Sequence, residues 1–241
     1  IAKGRGTDIE ISDGATVSAT EGPIVRAQIN DDTGAGSMDG TEVVNVSVSD
    51  TALEGDIIQG MGDSSSDTKT STMNVDLNNA SLTGAISSAF LTLKISDGKI
   101  SFANITDVGI VTDTELGHNT AANLNVTLEN NAVWTLTETS YLMSLTIDET
   151  SAIVADDADV YMTVDGKETE IEAGKTYEGA IVLSIGSAEE VEEESVEVPQ
   201  EAASETQSTT TSEAATETQN AATSETTTTT GETTTITKGS K

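Results

Sequence analysis

Three stretches of this 241-residue chain align with one another without a gap, and that self-similarity limits the fold more than any other feature of the sequence. They are Asn45-Val-Ser-Val-Ser-Asp-Thr-Ala-Leu-Glu-Gly-Asp-Ile57, Asn74-Val-Asp-Leu-Asn-Asn-Ala-Ser-Leu-Thr-Gly-Ala-Ile86 and Asn125-Val-Thr-Leu-Glu-Asn-Asn-Ala-Val-Trp-Thr-Leu-Thr137. Each carries an apolar pair two residues apart (Val46/Val48, Val75/Leu77, Val126/Leu128), so both side chains fall on one face of a short strand. Asp50, Asn79 or Asn130 follows, a residue type suited to a left-handed or Asx-type corner, and an aliphatic residue at Leu53, Leu82 or Val133 then opens a second strand. Gly55 and Gly84 mark a further corner, where the third copy has Thr135. Weaker copies lie at Ile9-Glu-Ile11 with Asp13 and at Leu145-Thr-Ile147 with Glu149. The copies start 29 residues apart (45 to 74) and then 51 apart (74 to 125). The second spacing reads as two periods of about 25, inside the range of roughly 20 to 45 residues typical of stacked repeats.

Composition agrees with a repetitive β-fold. Only 2% of residues are aromatic, so a core must be built in thin layers from aliphatic and β-branched side chains. There is no Cys, which removes disulfides, thiolate zinc sites and thiol catalysis. With 42 acids against 10 bases the formal charge is -32, which makes binding to nucleic acid or to an anionic membrane unfavourable. No run of apolar residues approaches the roughly 18 needed to span a bilayer. The chain opens at Ile1 without Met, as expected of a mature product or a fragment whose targeting signal lies elsewhere.

The text changes near Ser187. From 187 to 241 it is a Thr/Glu/Ser-rich sequence with 12 acids, 2 bases and no aromatic residue. Such a segment buries too little apolar surface to offset the entropy of ordering it and is expected to be a disordered tail. The remaining 30 acids and 8 bases leave residues 1 to 186 strongly acidic as well. Inserts at 31–40 and 61–71 fall between the repeats. Residues 156 to 186 read as hairpins around Asp165-Gly166, a two-residue turn signal, and are expected to cap the coils of residues 1 to 155.

The stretch Asn131-Ala-Val-Trp-Thr-Leu-Thr-Glu-Thr-Ser-Tyr-Leu-Met-Ser-Leu-Thr-Ile-Asp148 resembles the coils of bacterial cell-surface right-handed parallel β-helix proteins, the passenger domains of autotransporters and adhesins among them. The resemblance covers about residues 40 to 155. It implies an all-β, right-handed parallel β-helix (a β-solenoid) of roughly six to eight coils with a hairpin cap, and it implies adhesion, autoaggregation or display rather than any one activity. No membrane β-barrel sequence follows within this chain, and the tail holds no sortase-type Leu-Pro-x-Thr-Gly signal.

Candidate sites are few. Asp156, Asp157 and Asp159 form the main acid cluster and are the candidates for a weak calcium site, with an ordinary acidic turn and a hydrolase or lyase active site as the other readings. The loop Asp31 to Glu42 has acids at positions 1, 9 and 12 and Gly at 6, but Thr33 and Ala35 stand where ligands would be needed, so a solvated loop is expected. Arg5 and Arg26, the only arginines, lie far from the acid cluster in sequence. His118 is the single histidine and cannot alone make a metal centre or a catalytic triad. Trp134 and Tyr141 suit either a sugar-stacking platform or core filling, and the Asn45, Asn74, Asn125 column either an exposed amide ladder or a register device.

The expected role is therefore non-enzymatic: an extracellular surface or adhesin-like module, secreted or cell-surface associated, serving as a rigid spacer or as a binding module for a host or surface ligand such as a glycan. No cofactor is expected beyond a structural calcium. The rival readings are a carbohydrate-binding or polysaccharide-cleaving β-helix and a calcium-stabilised surface-layer component. If the tail contributes nothing to the core, a chain ending at Gly186 keeps the far-UV β-signal and melting temperature of the full chain; a loss of many degrees in a thermal melt would contradict that boundary.

Overall fold

The computed structural model describes residues 1–3, 5–19, 21–29, 42–62, 70–95 and 100–186. The tail expected over 187–241 and most of the loop expected over 31–42 lie outside the described residues, and the strands all belong to one compact unit, Ile1–Glu193. Among the described residues the fold is all-β, with a single 3-10 turn at Ile105–Asp107 and no helix long and apolar enough to cross a membrane.

The chain repeats a three-strand pattern. β1 (Ala2–Lys3), β2 (Thr7–Ile11) and β3 (Val25–Gln28) open it; β4 (Val43–Ser49), β5 (Ala52–Glu54) and β6 (Ile57–Gly60) follow, then β7 (Ser71–Asn78), β8 (Ser81–Thr83) and β9 (Ile86–Leu93). The second and third sets each send one strand to each of three sheets, whereas in the first set β2 enters the first sheet and β1 and β3 both enter the third. β2, β4 and β7 lie side by side in the first sheet, β5 and β8 in the second, and β1, β3, β6 and β9 in the third, all pairing in parallel. β10 (Val111–Leu116) then turns back antiparallel to β9 and ends the third sheet. β11 (Ala122–Glu129) and β13 (Ser140–Ile147) extend the first sheet in parallel, and β12 (Val133–Leu136) and β14 (Ala152–Ala155) extend the second. Finally β15 (Asp159–Val164), β16 (Lys167–Glu168) and β17 (Lys175–Gly186) join the first sheet antiparallel, with β17 next to β13. Asp165 and Gly166 both have positive φ, 51° and 73°, as the two-residue turn between β15 and β16 requires.

The apolar pairs face inward as their period of two dictates. Ile9, Val46, Val75, Val126 and Leu145 stand in one column and Ile11, Val48, Leu77, Leu128 and Ile147 in the next, and Val46, Val48, Val75, Leu77 and Leu128 have no exposed surface at all. Full burial of each such side chain contributes about 1.5–3 kcal/mol. The corner column is also regular: Asp13, Asp50, Asn79 and Asn130 all adopt left-handed φ between 47° and 57°, a conformation that Asp and Asn tolerate better than other residues with a Cβ.

Two features of the repeat differ from the sequence expectation. Asn74 pairs directly with Asn125, so the 51-residue spacing is one period carrying an insertion, β10 and its flanks, and not two periods of 25. The first sheet accordingly holds five parallel strands, fewer than six to eight coils would provide. Secondly, the third copy contains one extra corner residue. Asn130 and Asn131 are both left-handed (φ 55° and 67°), and this shifts the second strand so that Trp134, rather than Val133, aligns with Leu82 and Leu53. Trp134 is fully buried, Val133 faces outward, and Thr135 pairs with Thr83 instead of taking the place of Gly84. The indole N–H of Trp134 donates to the Gly84 carbonyl at 2.9 Å, and a Cβ on Gly84 would collide with the Gly55 carbonyl of the preceding repeat. Val75→Asp is expected to destabilise the chain by several kcal/mol, about 2–5, because it buries a carboxyl with no partner; urea denaturation reads the loss, and a shift below 1 kcal/mol would contradict the register.

Candidate binding face

The outer face of the first sheet carries the most regular polar surface among the described residues. Side chains that alternate with the core columns project from it. One row runs Asp8, Asn45, Asn74, Asn125 and Ser144, and the next runs Glu10, Ser47, Asp76, Thr127, Thr146 and Thr176. Neighbours along a row are spaced by the strand separation, about 4.8 Å.

Within the first row the amides bond to one another. Asn125 Nδ2 donates to Asn74 Oδ1 at 2.9 Å, Asn74 Nδ2 to Asn45 Oδ1 at 2.9 Å, and Asn45 Nδ2 to Asp8 Oδ1 at 2.8 Å. The run ends at Asp8, which as a carboxylate only accepts. Of the two uses the sequence leaves open for this column, the geometry supplies the register device, and the row remains half-buried at its three asparagines. A shorter run marks the corner, where Asn79 Nδ2 donates to Asp50 Oδ1 at 2.7 Å and Asn130 Nδ2 to Asn78 Oδ1 at 3.1 Å. Asp148 closes that corner. It is held well below the ordinary carboxylate range, first by a side-chain hydrogen bond from Ser151 and then by the Asn130 N–H at 2.6 Å, with Thr150 adding further donors.

The other candidates are separated in space. Asp157 is left-handed (φ 54°) in the tight turn bridged by Ala155 and Ala158, and Asp156, Asp157 and Asp159 are all exposed. Among the described residues no three acidic or His side chains converge on a point where they could hold a metal ion. Arg26 lies on β3, in a different sheet from Asp159 on β15, and its Nε donates to Gln28 Oε1 at 3.1 Å; burial disfavours its charged form. Trp134 and Tyr141 share no platform, since Trp134 fills the core while Tyr141 points outward with His118 edge-on to its ring, centroids 5.2 Å apart.

Two shallow grooves lie elsewhere among the described residues. One, at the cap, is lined by Tyr161, Met162, Glu168, Thr169, Glu170 and Ile171 among others; the other, beside β5 and β8, has Glu54 as its only ionisable lining residue. Sequence reasoning missed a buried polar cluster as well. Gln59 has no exposed surface, its Nε2 donates to Ser71 Oγ at 2.9 Å, its Oε1 accepts from the Met61 N–H at 3.2 Å, and Ser71 Oγ in turn donates to the Met61 carbonyl. Its only sequence signal is a Gln where Ile57-Ile58 would be expected to continue an apolar strand.

Comparison with protein-family models, curated proteins and solved structures gives no match to this chain.

Asn74 is the central rung of the amide run, so Asn74→Ala strips a partner from Asn45 and from Asn125 together. The expected loss is about 1–2 kcal/mol, measured by chemical denaturation, whereas the exposed Asp76→Asn on the same strand should change stability by less than about 0.5 kcal/mol.

Proposed function

We propose that the chain is a non-enzymatic extracellular surface module, a β-solenoid of the bacterial adhesin-like kind, that serves as a rigid spacer or binding module through the outer face of its first sheet. One observation carries the reading: polar side chains on that face are spent on one another, strand after strand, in a single register. Such a row stiffens the stack and repeats one surface pattern along it, which suits display and multivalent contact with a repetitive ligand such as a glycan. Two groups that acid–base chemistry could draw on have other partners. Asp148 is tied into its corner and Arg26 is bonded to Gln28. The body's acidity opposes anionic substrates and favours cationic or neutral partners, with calcium as a stabilising counter-ion.

The test pairs binding with turnover. The purified chain is incubated with neutral and acidic polysaccharides, with and without calcium, while new reducing ends and unsaturated products are followed and retention on glycan-coated surfaces is measured. No turnover is expected, together with retention that falls at least tenfold when Asp76→Lys and Thr127→Lys are introduced on the outer face. Turnover abolished by Asp156→Asn, Asp157→Asn, Glu168→Gln or Glu170→Gln would replace this reading with a polysaccharide-cleaving enzyme.

A further inference from the structure

His118 sits in the short loop between β10 and β11, and its Nε2 is buried without a hydrogen-bond partner, the only such side-chain atom among the described residues. The loop around it is tightly held. Ser88 Oγ donates to the Gly117 carbonyl at 2.6 Å, the Gly117 N–H donates to the Ser88 carbonyl at 3.1 Å, and Asn119 Nδ2 donates to the Ala89 carbonyl at 2.9 Å. Phe90 lies over Gly117, where an added Cβ would press on its ring at 3.1 Å, and the His118 ring meets Tyr141 edge-on at an interplanar angle of 77°. The loop is thus pinned on both sides of a residue that is itself pinned by no hydrogen bond through Nε2.

We infer that this seat is an acid-released clasp: the neutral His118 ring is held against Tyr141, and protonation drives the ring off Tyr141 while the hydrogen bonds to β9 keep the loop in place. A protonated Nε2 in this seat would carry an N–H and a share of the positive charge with no acceptor in reach, and a buried donor left unmade is costly. Few charges are near enough to change that balance. β9, beneath the loop, has no ionisable side chain; β13 contributes Tyr141; β17 sets Val182 opposite Tyr141; and β10 brings the exposed Glu115 three residues upstream. The turn between β15 and β16 contributes Asp165, whose Oδ1 already accepts the Ala180 N–H at 2.9 Å. Burial pushes the His118 imidazole below its ordinary value and Asp165 opposes this in part. The folded chain therefore binds this proton less readily than the unfolded chain. The contribution of the seated ring to stability is present above about pH 6.5, the unfolded value, and is lost as pH falls through the lower folded value. Release uncovers the Tyr141 ring, beside the already exposed Phe90.

His118 is the chain's only histidine, so its imidazole proton resonances give one titration curve in the full chain without isotope editing by site. The expected midpoint lies below pH 6.5, and the Tyr141 ring signals move with the same midpoint. Tyr141→Ala, which opens the seat, moves the midpoint up, and Asp165→Asn, which removes the opposing charge, moves it further down. Trp134 emission, which reports the core, confirms that each variant is folded; if Tyr141→Ala loses it, Asp165→Asn carries the comparison. A midpoint at or above pH 6.5 in the unaltered chain, Tyr141 signals that ignore the titration, or a midpoint indifferent to Asp165→Asn overturns the clasp.

Discussion

The register of the parallel strands in the first sheet is the constraint from which the other features follow. Side chains alternate along a strand, so a slip of one residue would bring the Asn45, Asn74, Asn125 row into the core and turn Val46, Val75 and Val126 out to solvent. Two interactions hold the register from opposite faces. Burial fixes it to within two residues, because the apolar columns need only the right parity. The amide run selects one alignment among those that parity allows, since each Nδ2 must meet one Oδ1. The corners inherit the choice: Asp13, Asp50, Asn79 and Asn130 fall two residues beyond the last core position of their strands and stack at one edge.

Charge is arranged with the same economy. Carboxylates directly opposite on neighbouring strands would destabilise the sheet, and in an acidic chain such encounters are hard to avoid. Yet none occurs in the registered pairs among the described residues: Asp8 faces Asn45, Glu10 faces Ser47, Asp76 lies between Ser47 and Thr127, Glu129 faces Asn78, Glu54 faces Thr83, and Glu178 faces Ser144. Asn, Ser and Thr thus act as spacers between acids. A strongly acidic body tolerates its own field because the acids are distributed by row and not merely by count.

Much of this was legible in the sequence, and what was not has physical causes. Period-two pairs and Asp/Asn corners are local signals, and they located every parallel strand of the first sheet. An insertion is different: nothing in the spelling of 94–120 distinguishes a missing copy of the repeat from a strand, β10, that folds back on its neighbour. The shift at Trp134 was hidden because Asn130 and Asn131 both suit a left-handed corner, so an ungapped alignment looked complete while the chain used two corner residues instead of one. His118 reads as an ordinary loop residue, since its seat is formed by Tyr141, 23 positions further on, and that distance cannot be read from spacing.

The change from parallel to antiparallel pairing beyond β13 bears on how the chain folds. The antiparallel pairs beyond β13 close loops of very different length: 3 residues between Val164 and Lys167, 17 between Val164 and Ile181, and 28 between Ile147 and Lys175. The parallel contacts of the first sheet close 19 residues between Asn125 and Ser144, 29 between Asn45 and Asn74, 37 between Asp8 and Asn45 and 51 between Asn74 and Asn125 before any pairing offsets the cost. The β15–β16 turn is therefore the easiest of these contacts to close, and the pairing of β7 with β11, which must span the β10 insertion, is the hardest.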